Sequence, residues 1–234
     1  MARHTASRRD VLAGLLASLP LAPLGHAAAP ATDGARPPPA TLRKAGNAPA
    51  RVDADGFIRR WLVLDPIGVG GRLTAPEVEA AIERWQVPWD GDALPRDGQV
   101  VELGGQRLTW HALDTLLYNL NLYHFAWSRS KPTSNVLFWT CTAVEVLTEA
   151  RDVRLSIGSN AASVWWLDGQ RVIALYNDRQ TVIDDGVSRR LTLRPGRHVI
   201  RAAIINGGGA TDFCARFLDA RDRPVTGLTV GVSS

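Results

Sequence analysis

The chain has 234 residues, with 27 basic against 23 acidic side chains, a formal charge of +4, and a composition that is 45% hydrophobic and 21% charged. That length fits one domain or a small pair, and the composition excludes global disorder, a collagen-like repeat and, with two cysteines, a disulfide-dense mini-scaffold. A positive balance ordinarily raises nucleic acid or an acidic membrane as partner.

The first segment accounts for half of that charge. Ser7-Arg8-Arg9-Asp10-Val11-Leu12 precedes an apolar run from Ala13 to Leu24 and then the small residues Ala27-Ala28-Ala29. This is the layout of a signal peptide with a twin-arginine motif, over 1–28, and a general-secretion signal or a retained anchor is the alternative. The run is broken by Pro20 and Pro23 and falls short of the roughly 20 residues that span a bilayer, which argues for cleavage and against a stable membrane anchor. Residues 1–28 hold three arginines and one aspartate, so cleavage leaves +2, carried by Arg interleaved with Asp and Glu. Without a basic stripe, nucleic acid drops out as an expected partner, and a periplasmic or secreted location is expected.

Residues 29–51, rich in Ala and Pro around Pro37-Pro38-Pro39, lack apolar periodicity and read as an extended linker, with the folded domain expected over 52–234. The run 57–64 reads as a strand that ends at Asp65-Pro66. A helix follows: Thr74 can cap, Glu77 sits three residues on, and Val78, Ala81, Ile82 and Trp85 fall on one face before Pro88. Residues 100–103, a Gly104-Gly105 turn, 108–111 and 122–127 read as short strands. The runs 136–147, 153–157, 163–167, 171–176, 190–193, 199–205 and 213–218 are strand-like and separated by turn residues. Together these elements predict a mainly β fold, a jelly-roll-like antiparallel β-sandwich with one short helix.

Asp168-Gly169 suits a type I′ two-residue hairpin, which makes Leu167 face Gln170, Trp166 face Arg171 and Trp165 face Val172. Facing residues share a side, so Trp165 joins Leu167, Val172, Ala174 and Tyr176 in a core set, and Trp166 points the other way with Val164, Ile173 and Leu175. There its ring either stacks with a guanidinium or a sugar face, or lies under a covering segment such as the helix.

The order of 57–67, 136–147, Val153-Arg154-Leu155-Ser156-Ile157-Gly158-Ser159-Asn160, Val164-Trp165-Trp166-Leu167-Asp168-Gly169, Leu191-Thr192-Leu193-Arg194-Pro195-Gly196, 199–205 and Phe213-Cys214-Ala215-Arg216-Phe217 resembles the galactose-binding-like β-sandwich. The likeness runs from Phe57 to about Val225 and departs from the usual pattern where Asp65-Pro66-Ile67 replaces Gly-Pro-Phe. It implies a carbohydrate-binding or accessory module of polysaccharide-active proteins, a family that also holds domains which only fasten neighbours together.

The chain has no Gly-x-Ser-x-Gly elbow, Walker loop or His-Glu-x-x-His motif. His111, Asp114 and His124 match no metal-ligand spacing and read first as structural residues, with a carbohydrate esterase using His111 or His124 as the enzymatic alternative. The polar loop 177–186, with Asp178, Arg179, Asp184 and Asp185, could hold sugar hydroxyls or supply oxygens to Ca²⁺. Asn206 and Asp212 flank a glycine run with the same chemistry. With Asn160, Trp166, Arg171 and Tyr176 they complete the candidate ligand-binding set, and two solvated turns are the plain alternative. Cys141 and Cys214 either pair in an oxidising compartment or stay as two buried thiols. The expected partner is a glycan or, alternatively, an exported enzyme to which the chain docks as a structural subunit.

Overall fold

Strands with apolar residues at nearly every position need cover on both faces, and this chain supplies it with a second sheet on one side and a helix with its trailing segment on the other. The computed structural model describes residues 41–71, 73–176 and 180–233. The expected signal peptide and the linker as far as residue 40 lie outside the described residues. The chain runs β1 (Leu42–Lys44), β2 (Ala50–Arg51), β3 (Arg60–Leu64), β4 (Ile67–Gly68), α1 (Ala75–Arg84), β5 (Val100–Leu103), β6 (Gln106–Thr115) and β7 (Leu120–Asn121). Next come α2 (Leu122–Trp127), β8 (Val136–Val146), β9 (Ala150–Ser159), β10 (Ala162–Leu167) and β11 (Gln170–Leu175). The chain closes with β12 (Gly186–Val187), β13 (Leu191–Leu193), β14 (Gly196–Asn206), β15 (Asp212–Leu218) and β16 (Leu228–Gly231).

The larger sheet has the order β1-β6-β3-β8-β14-β10-β11 and the smaller β12-β9-β15-β7, both antiparallel. An antiparallel β-sandwich is therefore the architecture. The core between the sheets centres on Trp61, Trp165 and Phe213, whose rings meet edge-on at 5.0–6.1 Å. A second apolar cluster covers the outer face of the large sheet, where Leu64, Trp110, Trp139 and Val164 meet Val78 and Ile82 of α1. Because β8 is covered on both faces it has one exposed residue, Glu145, and its sequence reads as a continuous apolar run.

α1 forms as its sequence predicts, with the Glu77 carboxylate accepting both the N–H and the hydroxyl of Thr74 at 2.7 Å. The β5–β6 hairpin turns at Gly104 and Gly105, both at positive φ, and a side chain at Gly104 would collide with the Trp85 ring. Three expectations need correction. Residues 122–127 are helical, because Leu122, Phe125 and Ala126 bury at i, i+3 and i+4 and the Asn121 side chain caps the turn by accepting from His124 N at 2.7 Å. The described residues thus hold two helices. The supposed linker contributes strands, since β1 pairs with β6 and β2 with β16. The 168–169 hairpin has the expected register at Leu167 and Trp166, but a bulge follows, so Trp165 faces Ile173 rather than Val172.

The bulge exchanges the two sides of β11. Ile173 and Leu175 join Trp165 in the inter-sheet core, whereas Ala174 and Tyr176 join Trp166 beneath α1. Of the two readings open for the cysteines, the structure shows the second, since both are free and buried. Cys141 points to the α1 side of the large sheet. Cys214 alternates with core-facing Phe213 and Ala215, which places it on the outer side of the small sheet. Stacked sheets lie roughly 10 Å apart, beyond the reach of a disulfide. Burial raises both thiols, that of Cys214 to about 12.

Candidate functional site

One cross-strand row organises the face under α1. Cys141 on β8 faces Arg201 on β14, Arg201 faces Trp166 on β10, and Trp166 faces Arg171 on β11. Trp139, two positions from Cys141, stands on the same side with its ring 5.6 Å from that of Trp166. Trp89, from the segment that follows α1, meets Trp139 edge-on at 5.9 Å. Trp139 Nε1 donates to the Trp85 carbonyl at 2.8 Å, so the sheet satisfies an acceptor at the end of the helix and holds it in place.

Glu79 and Glu83 lie four residues apart on one stripe of α1, and Gln86 follows just past its end. With Ile82, Trp89, Trp139, Trp166, Gly169 and Arg201 they line an open cleft of about 360 Å³. That size lies at the small end for ligand pockets. Trp166 and Trp89 are half-buried and leave ring area to the cleft. Arg171 grips Glu79 through contacts of 3.2 and 2.5 Å, and the Tyr176 hydroxyl reaches the same carboxylate. Burial pushes Glu79 up, but its bonds from Tyr176 and Arg171 outweigh this and hold it below the ordinary carboxylate range. Arg201 is 8% exposed and lies 4.3 Å over the Trp89 ring, with Nη2 donating to the Gly91 carbonyl. Burial lowers its affinity for the proton. The cleft therefore combines flat apolar surface with carboxylate, amide and guanidinium groups, a set that can stack on a ring and exchange hydrogen bonds with hydroxyls.

Of the candidates read from sequence, Trp166, Arg171 and Tyr176 come together here. Asn160, Asn206 and Asp212 gather elsewhere, at the far ends of β10 and β14, about 13 Å along the strand from Trp166. Their polar atoms are turned onto the protein. Asn160 accepts from Asp212 N at 3.0 Å and donates to the Ala210 carbonyl at 2.8 Å, and Asn206 bonds Thr133 and Gly209 carbonyls. Asp212 takes bonds from Asn119 and Thr181. Asp184 sits apart again, over the outer face of the small sheet, where Ser156 donates at 2.7 Å and Arg216 forks onto it. Burial raises the Asp184 carboxyl, but these partners outweigh it and lower its pKa. Asp185 is exposed in the same loop, and Asp178 and Arg179 lie outside the described residues.

The histidine group disperses. His111 Nε2 meets Asp65 at 3.1 Å, Asp114 forks onto Arg60 on the opposite side of β6, and His124 belongs to α2. Among the described residues, no three His, Cys, Asp or Glu side chains gather closely enough to hold a metal ion, and no helix is long and apolar enough to cross a membrane. Trp89, Trp139, Glu79, Glu83 and Arg201 were not singled out from sequence. The Glu79 and Glu83 spacing on the helix was the one available signal, since the others need the pairing of strands distant in sequence.

No family model matches the chain, and no curated protein matches it. Among solved structures, the PA14 sugar-binding domain from an RTX adhesin is 12% identical and covers 74% of this chain and 94% of its own, with a TM-score of 0.42. A β-glucosidase from Kluyveromyces marxianus is 16% identical over 68% of this chain, at a TM-score of 0.40, and an α-xylosidase from Xanthomonas citri is 13% identical over 80%, at 0.30. The chain spans 16% of the glucosidase and 27% of the xylosidase.

Proposed function

We propose that this is an exported, non-catalytic carbohydrate-binding or accessory protein whose ligand lies in the cleft beneath α1. The observation that carries the reading is the convergence of three tryptophans, Trp89, Trp139 and Trp166, with Glu83, Gln86 and Arg201 around one open depression. The part-exposed indoles of Trp89 and Trp166 suit the apolar face of a pyranose, and the rim supplies donors and acceptors for its hydroxyls. Glu79, held below the ordinary carboxylate range by Tyr176 and Arg171, is unsuited to serve as a general acid. Export rests on the Arg8-Arg9 motif, and replacing both by Lys should hold the protein in the cytoplasm if the twin-arginine route is used.

The test is titration of tryptophan fluorescence with a panel of plant and bacterial polysaccharides. At least one should shift the emission saturably, and Trp166→Ala should abolish the response while circular dichroism stays unchanged. A flat titration across the panel, with Trp166→Ala indistinguishable from wild type, rejects the reading. The accessory alternative is supported by Leu116, Leu117 and Tyr118, which stand exposed in succession beside β7. Stoichiometric co-purification of one exported enzyme, lost in Leu117→Ser, would favour it.

A further inference from the structure

The large sheet carries two buried guanidinium groups with opposite surroundings. Arg60, 7% exposed, is forked onto Asp114 with contacts of 2.7 and 2.9 Å, as a desolvated cation requires. Arg201, 8% exposed, has no carboxylate partner among the described residues. Its guanidinium rests on the Trp89 ring and gives Nη2 to the Gly91 carbonyl, and Nε is buried without an acceptor. Asp92 and Asp168 act on it only through their field, and Asp168 is already committed to His198 and to the N–H of Val199. A buried charge left in this state is costly unless something else completes it. Arg201 lines the cleft.

We infer that the cleft takes an acidic sugar, a uronate whose carboxylate supplies the counter-charge that Arg201 lacks. The inference rests on the carbohydrate reading above and narrows it. The carboxylates on the α1 wall do not oppose it equally, because Glu79 is already matched by Arg171. Glu83 and Gln86 remain to meet the hydroxyls of the same sugar, with its ring against Trp166.

Calorimetric titration of the full chain with trimers of galacturonate, glucuronate and mannuronate, each against its carboxyl-reduced neutral counterpart, tests this. At least one acid should bind about tenfold or more tightly than its neutral partner, the step expected of a charge-assisted hydrogen bond. Arg201→Gln should erase that ratio, whatever it does to the affinity for the neutral sugar. Because that substitution alters a buried position, the wild-type ratio alone decides the matter. Equal or tighter binding of the neutral trimers overturns the inference and leaves the carbohydrate reading standing. Failure of all six trimers overturns the inference, and the polysaccharide panel then decides separately whether the broader reading falls too.

Discussion

Trp165 and Trp166 are neighbours on one strand, yet they belong to two different kinds of aromatic group. Trp165 points between the sheets, where it meets Trp61 and Phe213 edge-on, and all three are almost wholly buried. The polar atoms in that group are satisfied from nearby, Trp61 Nε1 by the Ile58 carbonyl and Trp165 Nε1 by the Ser163 hydroxyl. Trp166 points the other way, to Trp139 and Trp89, among charged groups and beside an open cleft. The residue type is the same, and what covers each face decides its role. A sheet covers one face, whereas a ten-residue helix and the segment after it cover the other and leave a depression beside the helix.

The sharpest way to test that division is to remove each ring. Trp165→Ala should cost about 3–5 kcal/mol in denaturant unfolding, from lost burial plus the cavity left in a packed core. Trp166→Ala should cost roughly 1–2 kcal/mol, since its ring is only part-buried, and should act mainly on ligand binding. Equal losses would mean that both groups are structural. A smaller effect comes from the hairpin end beside the cleft, where Asp168 holds His198 at 2.6 Å. Burial lowers the His198 pKa, but the bonds to Asp168 and to the Arg194 carbonyl outweigh it and raise the value above 6.5. The protonated form is thus favoured in the folded state. This contribution is complete below about pH 6.5 and is lost as pH rises through the folded value, by less than about 1 kcal/mol because Asp168 is partly solvated. Unfolding midpoints measured from pH 6 to 9 should fall in wild type relative to His198→Gln. The least effect of all is expected from a reductant, which should leave the melting temperature unchanged with Cys141 and Cys214 on different sheets.

Local signals in the sequence were reliable where a few neighbouring residues decide the structure. The Thr74–Glu77 pair marks α1, and Asp168-Gly169 adopts positive φ at both positions as a type I′ turn requires. The opposite facing of Trp165 and Trp166 follows from strand geometry alone. The bulge at Val172 does not, because no glycine or proline announces it, and every residue beyond it changes sides. Asn121 and the 122, 125, 126 spacing are the local signals for helix α2, but six apolar-rich residues also pass for a strand. Of the cleft, Trp166, Arg171 and Tyr176 were accessible to hairpin reasoning. Trp139 and Arg201 were not, since their neighbours are set by β8–β14–β10 pairing across more than 25 residues of intervening chain. The polar end loops read as a site because Asn and Asp are abundant there, whereas the structure engages Asn160, Asn206, Asp212 and Asp184 with carbonyls, amides, hydroxyls and Arg216.

The bulge in β11 has an evolutionary corollary. One extra residue after the hairpin turn is what delivers Tyr176 to Glu79 and turns Leu175 toward the core between the sheets. A single-codon deletion at Val172 would therefore reverse both placements, sending a phenol toward the core and a leucine to the wall beside Trp166. Relatives that differ by one residue in this strand should differ in how that wall is built, whatever their similarity elsewhere.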